Sequence, residues 1–198
     1  ATFPQDGKPG TKAYATATKT LTSQMAAAGY SVADVNYLVL SHYHWDHFGN
    51  AAMFAKSTWL VEKIEHDTLF GPTPPERLTP DQYLPLAKTK TVYLPNKDYD
   101  VFGDGSVTIL ASRGHTPGHQ SLLVRLANTG PVLLTGDAVH FRDNWDTPRA
   151  PVQNFDKEES IKSVNKLRGI AAANKAQVWI NHDDAQTATL KMSPAYYD

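Results

Sequence analysis

Residues 41–50 read SHYHWDHFGN and follow directly on the apolar run VNYLVL at 35–40. Such a run is expected to be a buried strand, so the turn after it is presented from a rigid base, and alternating positions on extended backbone point the same way. His42, His44, Asp46 and His47 therefore crowd four ligand-type side chains onto one strand end. Three of the chain's eight histidines within six positions are poorly explained as an accident of a polar loop. Imidazole and carboxylate at this density suit zinc or a neighbouring first-row divalent ion.

The rest of the composition narrows the field. A length of 198 residues with 41% hydrophobic content suits one domain over 1–198 with a substantial core. A formal net charge of -1 gives no general attraction to nucleic acid or an anionic membrane surface, and no apolar stretch is long enough to insert as a spanning helix. The chain has no cysteine, which excludes disulfides and thiolate ligands, so a metal here must be held by nitrogen and oxygen. The expected partners are a small-molecule substrate and, at most, a second copy in a homodimer. Localisation, whether secreted, periplasmic or cytoplasmic, is not legible.

Residues 1–12 read as an extended lead-in, and 14–28 as a helix closed by Gly29 with Leu21 and Met25 on its inner face. Ser31 to Asp34 reads as a capped turn feeding strand 35–40. A helix from His47 to Ala55, a strand at 58–61 and a helix at 62–70 follow. The five prolines of GPTPPERLTPDQYLP at 71–85 predict a surface loop or lid. Strands are expected at 91–94, 106–111, 121–126 and 132–135. A long helix should run to Lys175 with Asp156 as N-cap, then a strand at 177–181 and a short final helix. The alternation predicts an α/β architecture.

Three further segments repeat the pattern of an apolar strand running into a ligand-type residue: RGHTPGH at 113–119, VLLTGD at 132–137 and VWINHD at 178–183. Each alone is as readily a turn former or helix cap. Together with the first cluster they supply seven donors, enough for two ions.

In these residues the chain resembles the metallo-β-lactamase superfamily, whose pattern is H-x-H-x-D-H followed by a distant His, an Asp and a last His. The resemblance implies an αββα sandwich, and a hydrolase in which two Zn2+, or other divalent first-row ions, are held by His42, His44 and His119 on one side and Asp46, His47 and His182 on the other. Asp137 would bridge them. It further implies that water activated between the ions attacks the substrate, with Asp46 passing a proton to the leaving group and His140 available to hydrogen-bond the substrate. On the same resemblance, His115 is a structural group of its turn rather than a ligand. Asp183 is expected to orient a ligand imidazole, Asp184 to cap the last helix, and His66 to be solvated. Trp45, Phe141 and Trp145 are expected beside the metals.

Departures from the family pattern sharpen the activity. Members that reduce oxygen at a diiron centre carry Glu at the position of His44, and the β-lactamases proper lack the bridging Asp, so His44 and Asp137 argue for another hydrolysis. GHTPGHQSL at 114–122 is similar to the corresponding stretch of N-acyl homoserine lactonases, which makes a lactone or ester the leading substrate. His140 stands where the best-known lactonases carry Tyr. The alternatives are organophosphate, aryl ester, thioester or β-lactam hydrolysis, a nuclease, which a near-neutral surface disfavours, and a non-catalytic scaffold. Related chains open with strands at the edge of the first sheet, and none is evident before residue 35, so the N-terminal edge strands are expected to be missing from this chain or that edge covered by a neighbour.

Overall fold

A computed structural model of the chain describes residues 19–73 and 75–198. Two sheets pack face to face with helices on both outer sides. The first sheet is parallel, with β1 (Tyr37–Val39), β2 (Thr58–Glu62) and β3 (Thr91–Leu94) in that order. The second has the order β4 (Tyr99–Asp100), β5 (Val107–Ala111), β6 (Gln120–Leu126), β7 (Gly130–Leu134) and β8 (Gln177–Trp179), antiparallel except for the parallel pair β7–β8.

The layering follows from apolar strands whose alternate residues face opposite ways. On β2, Trp59 and Val61 pack outward with Phe48, Leu69 and Leu86, while Leu60 faces inward with Leu94 and Ile109 between the sheets. On β5, Leu110 faces the other way and joins Leu123, Leu133, Leu167 and Ala171. Leu167 and Ala171 belong to the long helix Lys157–Asn174, which starts at an Asp156 cap whose side chain accepts from the Glu159 N–H. This is the expected αββα sandwich.

Strand direction gathers the functional turns. β5, β7 and β8 run one way, so the chain leaves all three at the same edge, where β6 begins. The Gln120 N–H donates to Ser41 O at 2.9 Å, which locks that edge to the end of β1. All four ligand-bearing segments therefore open on one rim.

Several elements differ from expectation, each for a local reason. The first helix is described over Leu21–Ala27, because Thr20 caps it through the Ser23 N–H, and residues 14–18 lie outside the described residues, as does the lead-in. Leu21 and Met25 are half-buried rather than buried. The segment 47–55 is broken at Gly49-Asn50 into a helix Trp45–Phe48 and a 3-10 turn Ala51–Phe54. The proline-rich segment carries a short helix Pro80–Tyr83, because Thr79 and Gln82 form a capping box around a proline at the first helical position. Strands β1 and β8 are shorter than their apolar runs. The two-residue β4 was not expected, its alternation being too short to read.

Candidate active site

The first motif owes its shape to a change of backbone. His42 lies just beyond β1 and is buried; His44 is still extended (ψ 148°) and serves as N-cap to Trp45–Phe48, so Asp46 and His47 project from the helical turn that follows. Asp137 sits in a tight turn, Gly136–Ala138, at the end of β7. Gly136 has a φ of +53°, and a Cβ there would lie 2.7 Å from His119 Nε2, so the turn demands glycine. His182 follows β8, and His115 lies in the turn between β5 and β6.

These side chains converge on one point. His42 Nε2 and His115 Nε2 each lie 2.9 Å from His44 Nδ1. One ring nitrogen cannot satisfy two others at once, so three lone-pair-bearing atoms face a common centre. Beside them, Asp46, His47, Asp137 and His182 form a second group, and His115, Asp137 and His140 a third; within each, the donor atoms lie within 4.8 Å of one another. Asp137 joins the groups. Its Oδ2 is 3.2 Å from His182, 3.3 Å from His140 and 3.5 Å from His115, and its Oδ1 is 3.1 Å from His47.

This geometry corrects one expected ligand. His119 does not face the cluster with a free nitrogen: its Nε2 accepts the Asp137 N–H at 3.0 Å, and its Nδ1 lies 3.0 Å from Ser112 O. Both nitrogens are consumed in holding the Asp137 turn. The imidazole that reaches His42 and His44 is His115, whose Nδ1–H donates to Asn154 Oδ1 at 3.0 Å and leaves Nε2 pointing into the site. Such a partner on the remote nitrogen is what orients a metal-ligating histidine. His115 is thus brought into the donor set, and His119 becomes its support.

Burial and charge divide the donors. Desolvation drives His42 well below the ordinary histidine value and also lowers His44; it takes His115 down to about 4 and His119 to about 3, so these rings are neutral near pH 7. Burial also pulls on His47, but its contacts with Asp137 and Asp46 prevail and raise it to about 9. His182 is raised, chiefly by Asp137. Burial would push Asp137 up, yet the imidazoles of His140, His182 and His47 around it hold its carboxyl far below the carboxylate range.

The donor chemistry fits divalent metal. Neutral imidazoles present lone pairs without needing to lose a proton, and a buried, deprotonated carboxylate sits between the groups with imidazoles around both its oxygens. His42, His44 and His115 would hold one ion and Asp46, His47 and His182 a second, with Asp137 between.

Other expected neighbours fall into place differently. Asp183, not Asp184, caps the last helix, Asp184–Thr187, accepting the Gln186 N–H at 2.9 Å; it also accepts the Arg142 N–H at 3.0 Å and touches no ligand imidazole. His66 is not a solvated surface group, since its ring packs among Trp59, Phe70 and Tyr93. Trp145 packs against the core beneath the second sheet, and Phe141 is exposed. Trp45 does line the site. It borders a cavity of about 470 Å³ together with Asp46, His140, Glu76 and Arg77, the last stacking its guanidinium 5.6 Å from the Trp45 ring. The proline-rich segment thereby forms part of the pocket wall, as a lid would.

One residue with a structural hold on the site was not singled out from sequence. Glu65, on the helix Lys63–Leu69, is buried and its carboxylate accepts from the Tyr43 N–H at 2.9 Å, the Thr116 hydroxyl at 2.9 Å and the Gly118 N–H at 2.8 Å. Burial raises it to about 7 against these donors. An acidic residue in a helix after a strand carries no sequence signal of such contacts.

Comparison with known proteins agrees with this geometry. The model of the Metallo-beta-lactamase superfamily matches residues 9–173. An N-acyl homoserine lactonase AttM of Azorhizobium caulinodans is 37% identical over 180 residues, covering 89% of this chain and 68% of the relative. The N-acyl homoserine lactonase AiiA of Bacillus thuringiensis subsp. kurstaki is 30% identical over 173 residues, 85% of this chain and 64% of that one. Among solved structures, an N-acyl homoserine lactone hydrolase with N-hexanoyl-L-homoserine at its catalytic metal centre superposes with a TM-score of 0.77 at 28% identity, covering 90% of this chain and 67% of the other. The chain thus spans about two thirds of the length of these relatives. With sandwich, donor rim and family model in agreement, the chain belongs to the metallo-beta-lactamase superfamily.

Proposed function

We propose that this protein is a metal-dependent hydrolase that opens the lactone ring of N-acyl homoserine lactones, using two divalent ions, with Zn2+ the leading identity. The observation that carries the reading is the buried Asp137 carboxylate, set between an imidazole-only group and a mixed group with four imidazoles 3.1–3.5 Å from its oxygens. The lactonase relatives, at 30–38% identity, support the substrate class.

When bound, such a pair of ions supplies a water of lowered pKa and a Lewis acid for the substrate carbonyl. His42, His44 and His115 stay neutral and keep their lone pairs directed at one point, so no proton has to be displaced there. Asp46, whose side chain is partly exposed at the cavity, would take the proton released on attack and return it to the ring oxygen that departs as the product alcohol. His140 lines the same cavity, and its ring stacks on that of His182, with centroids 5.4 Å apart. Its Nε2 lies 3.3 Å from Asp137 Oδ2, and from that position it would hydrogen-bond the substrate carbonyl or leaving oxygen. Trp45 and Arg77 wall the cavity mouth and would contact the acyl portion.

Metal analysis of extensively dialysed protein, followed by titration of acid released from N-acyl homoserine lactones, aryl esters, phosphotriesters and β-lactams, tests the reading. Close to two ions per chain and turnover of the lactones are expected. Preference for a phosphotriester or aryl ester with no lactone turnover would replace the substrate class, and protein that retains no metal would remove the site itself.

A further inference from the structure

The two histidine turns that face each other across the site, 42–47 from the first sheet and 115–119 from the second, come from different layers of the sandwich. Something must set their spacing before any ion can be gripped. The edge bond from Gln120 N–H to Ser41 O lies below the donors. Above it, one carboxylate touches both turns: Glu65 Oε1 accepts from the Tyr43 amide, between His42 and His44, and from the Thr116 hydroxyl, next to His115, while Oε2 accepts from the Gly118 amide.

We propose that Glu65 is a positioning residue that clasps the two turns at the separation required for His42, His44 and His115 to share one ion. This rests on the reading of the cluster as a metal centre, not on the identity of the substrate. The packing around the clasp leaves no slack. A Cβ on Gly118 would lie 2.7 Å from Glu65 Cβ and 2.9 Å from Glu65 N, so the turn sits directly on the helix backbone, and only glycine permits that approach. All three partners are donors, which only a carboxylate can accept together. Glutamine at this position must aim its amide hydrogens at one of the two backbone N–H groups, and aspartate is one methylene too short to span both turns. Glu65 itself faces no ring nitrogen of the cluster, so its influence on the donors runs through backbone placement.

The test is metal affinity measured by competition with a chromophoric chelator, with the Co2+ absorption spectrum as a record of ligand geometry. Glu65→Gln and Gly118→Ala are expected to weaken binding of the first equivalent of zinc by about 10-fold or more, the scale on which outer partners of a site act, and to alter the Co2+ bands. Ser57→Ala is the control, since it removes another buried hydrogen bond, to Val35 O at 2.6 Å, far from the donors. It should lower Tm while leaving affinity and spectrum unchanged. Wild-type affinity and spectrum in both clasp variants would overturn the inference even if Tm falls. Should the variants not fold, amide exchange of the wild-type protein decides: zinc must slow the Tyr43 and Gly118 amides together, and independent responses refute the clasp. Wild-type protein that binds no zinc at all would instead refute the metal centre.

Discussion

The two halves of the donor cluster are built on opposite electrostatic plans. His42, His44 and His115 form an imidazole-only group, desolvated and neutral, whose rings are oriented from behind by hydrogen bonds such as that to Asn154. The group of Asp46, His47, Asp137 and His182 is held together by charge, with His47 raised to about 9 and the carboxylates lowered. The first half is therefore preorganised by packing and costs little to keep empty of protons. The second half is preorganised by ion pairs, and its imidazoles must surrender protons to bind an ion. That difference predicts where each half will fail.

The largest effect is expected where the halves meet. Asp137→Asn removes the charge common to both, and kcat/KM for the lactone should fall by more than the roughly 100-fold typical of an outer partner of a metal site; a variant with near wild-type turnover would break the two-group picture. Next comes the contrast between two neighbouring histidines. His115→Ala should lower retained metal from two ions toward one per chain, whereas His119→Ala should keep both ions but cost about 1–3 kcal/mol of stability, because the Asp137 N–H is left buried and unsatisfied. Metal analysis and urea denaturation separate the outcomes, and a reversed result would restore His119 as the ligand. A smaller loss, about 10-fold in metal affinity, is expected for Asn154→Ala, which frees the His115 ring to rotate.

The smallest effect is the pH dependence of metal-free protein. The imidazole-only group and His119 have folded values depressed below the ordinary 6.5, so the unfolded chain binds more protons below that pH. Their stabilisation is complete above 6.5 and is lost as pH falls toward about 4 and 3. His47 acts in reverse: its contribution is complete below 6.5 and is lost as pH rises through about 9. Glu65, raised to about 7, offsets part of the acid limb, because its burial penalty is relieved as it protonates. Stability of the metal-free protein should peak near neutrality and drop by on the order of 2 kcal/mol between pH 6.5 and 5.5. A flat profile by urea denaturation would show that the imidazoles are more solvated than their packing indicates.

Much of this was readable in advance. The apolar strands, the Asp156 cap and the capping box at Ser31–Asp34 follow from local pattern, and the sandwich from the resemblance. Local chemistry misled where two readings were equally local: Asp183 and Asp184 are both sound N-caps, and the backbone turn chose the first. His66 follows helical spacing that could place it in water or against Trp59, and packing chose the latter.

The chain's linear order alone specified which donor types exist, that none is sulfur, and that four segments end apolar strands in imidazole or carboxylate, because ligand chemistry and strand periodicity are properties of neighbouring residues. Which imidazole of the HTPGH turn faces the donor cluster, and that Glu65 joins the Tyr43 turn to Thr116, itself 51 residues further along the chain than Glu65, was decided only in three dimensions. Side-chain direction at a turn depends on φ and on what packs behind it: Gly114 at +129° against Ser160, Gly136 at +53° against His119, and Gly118 against the Glu65 backbone. Those contacts come from distant parts of the chain.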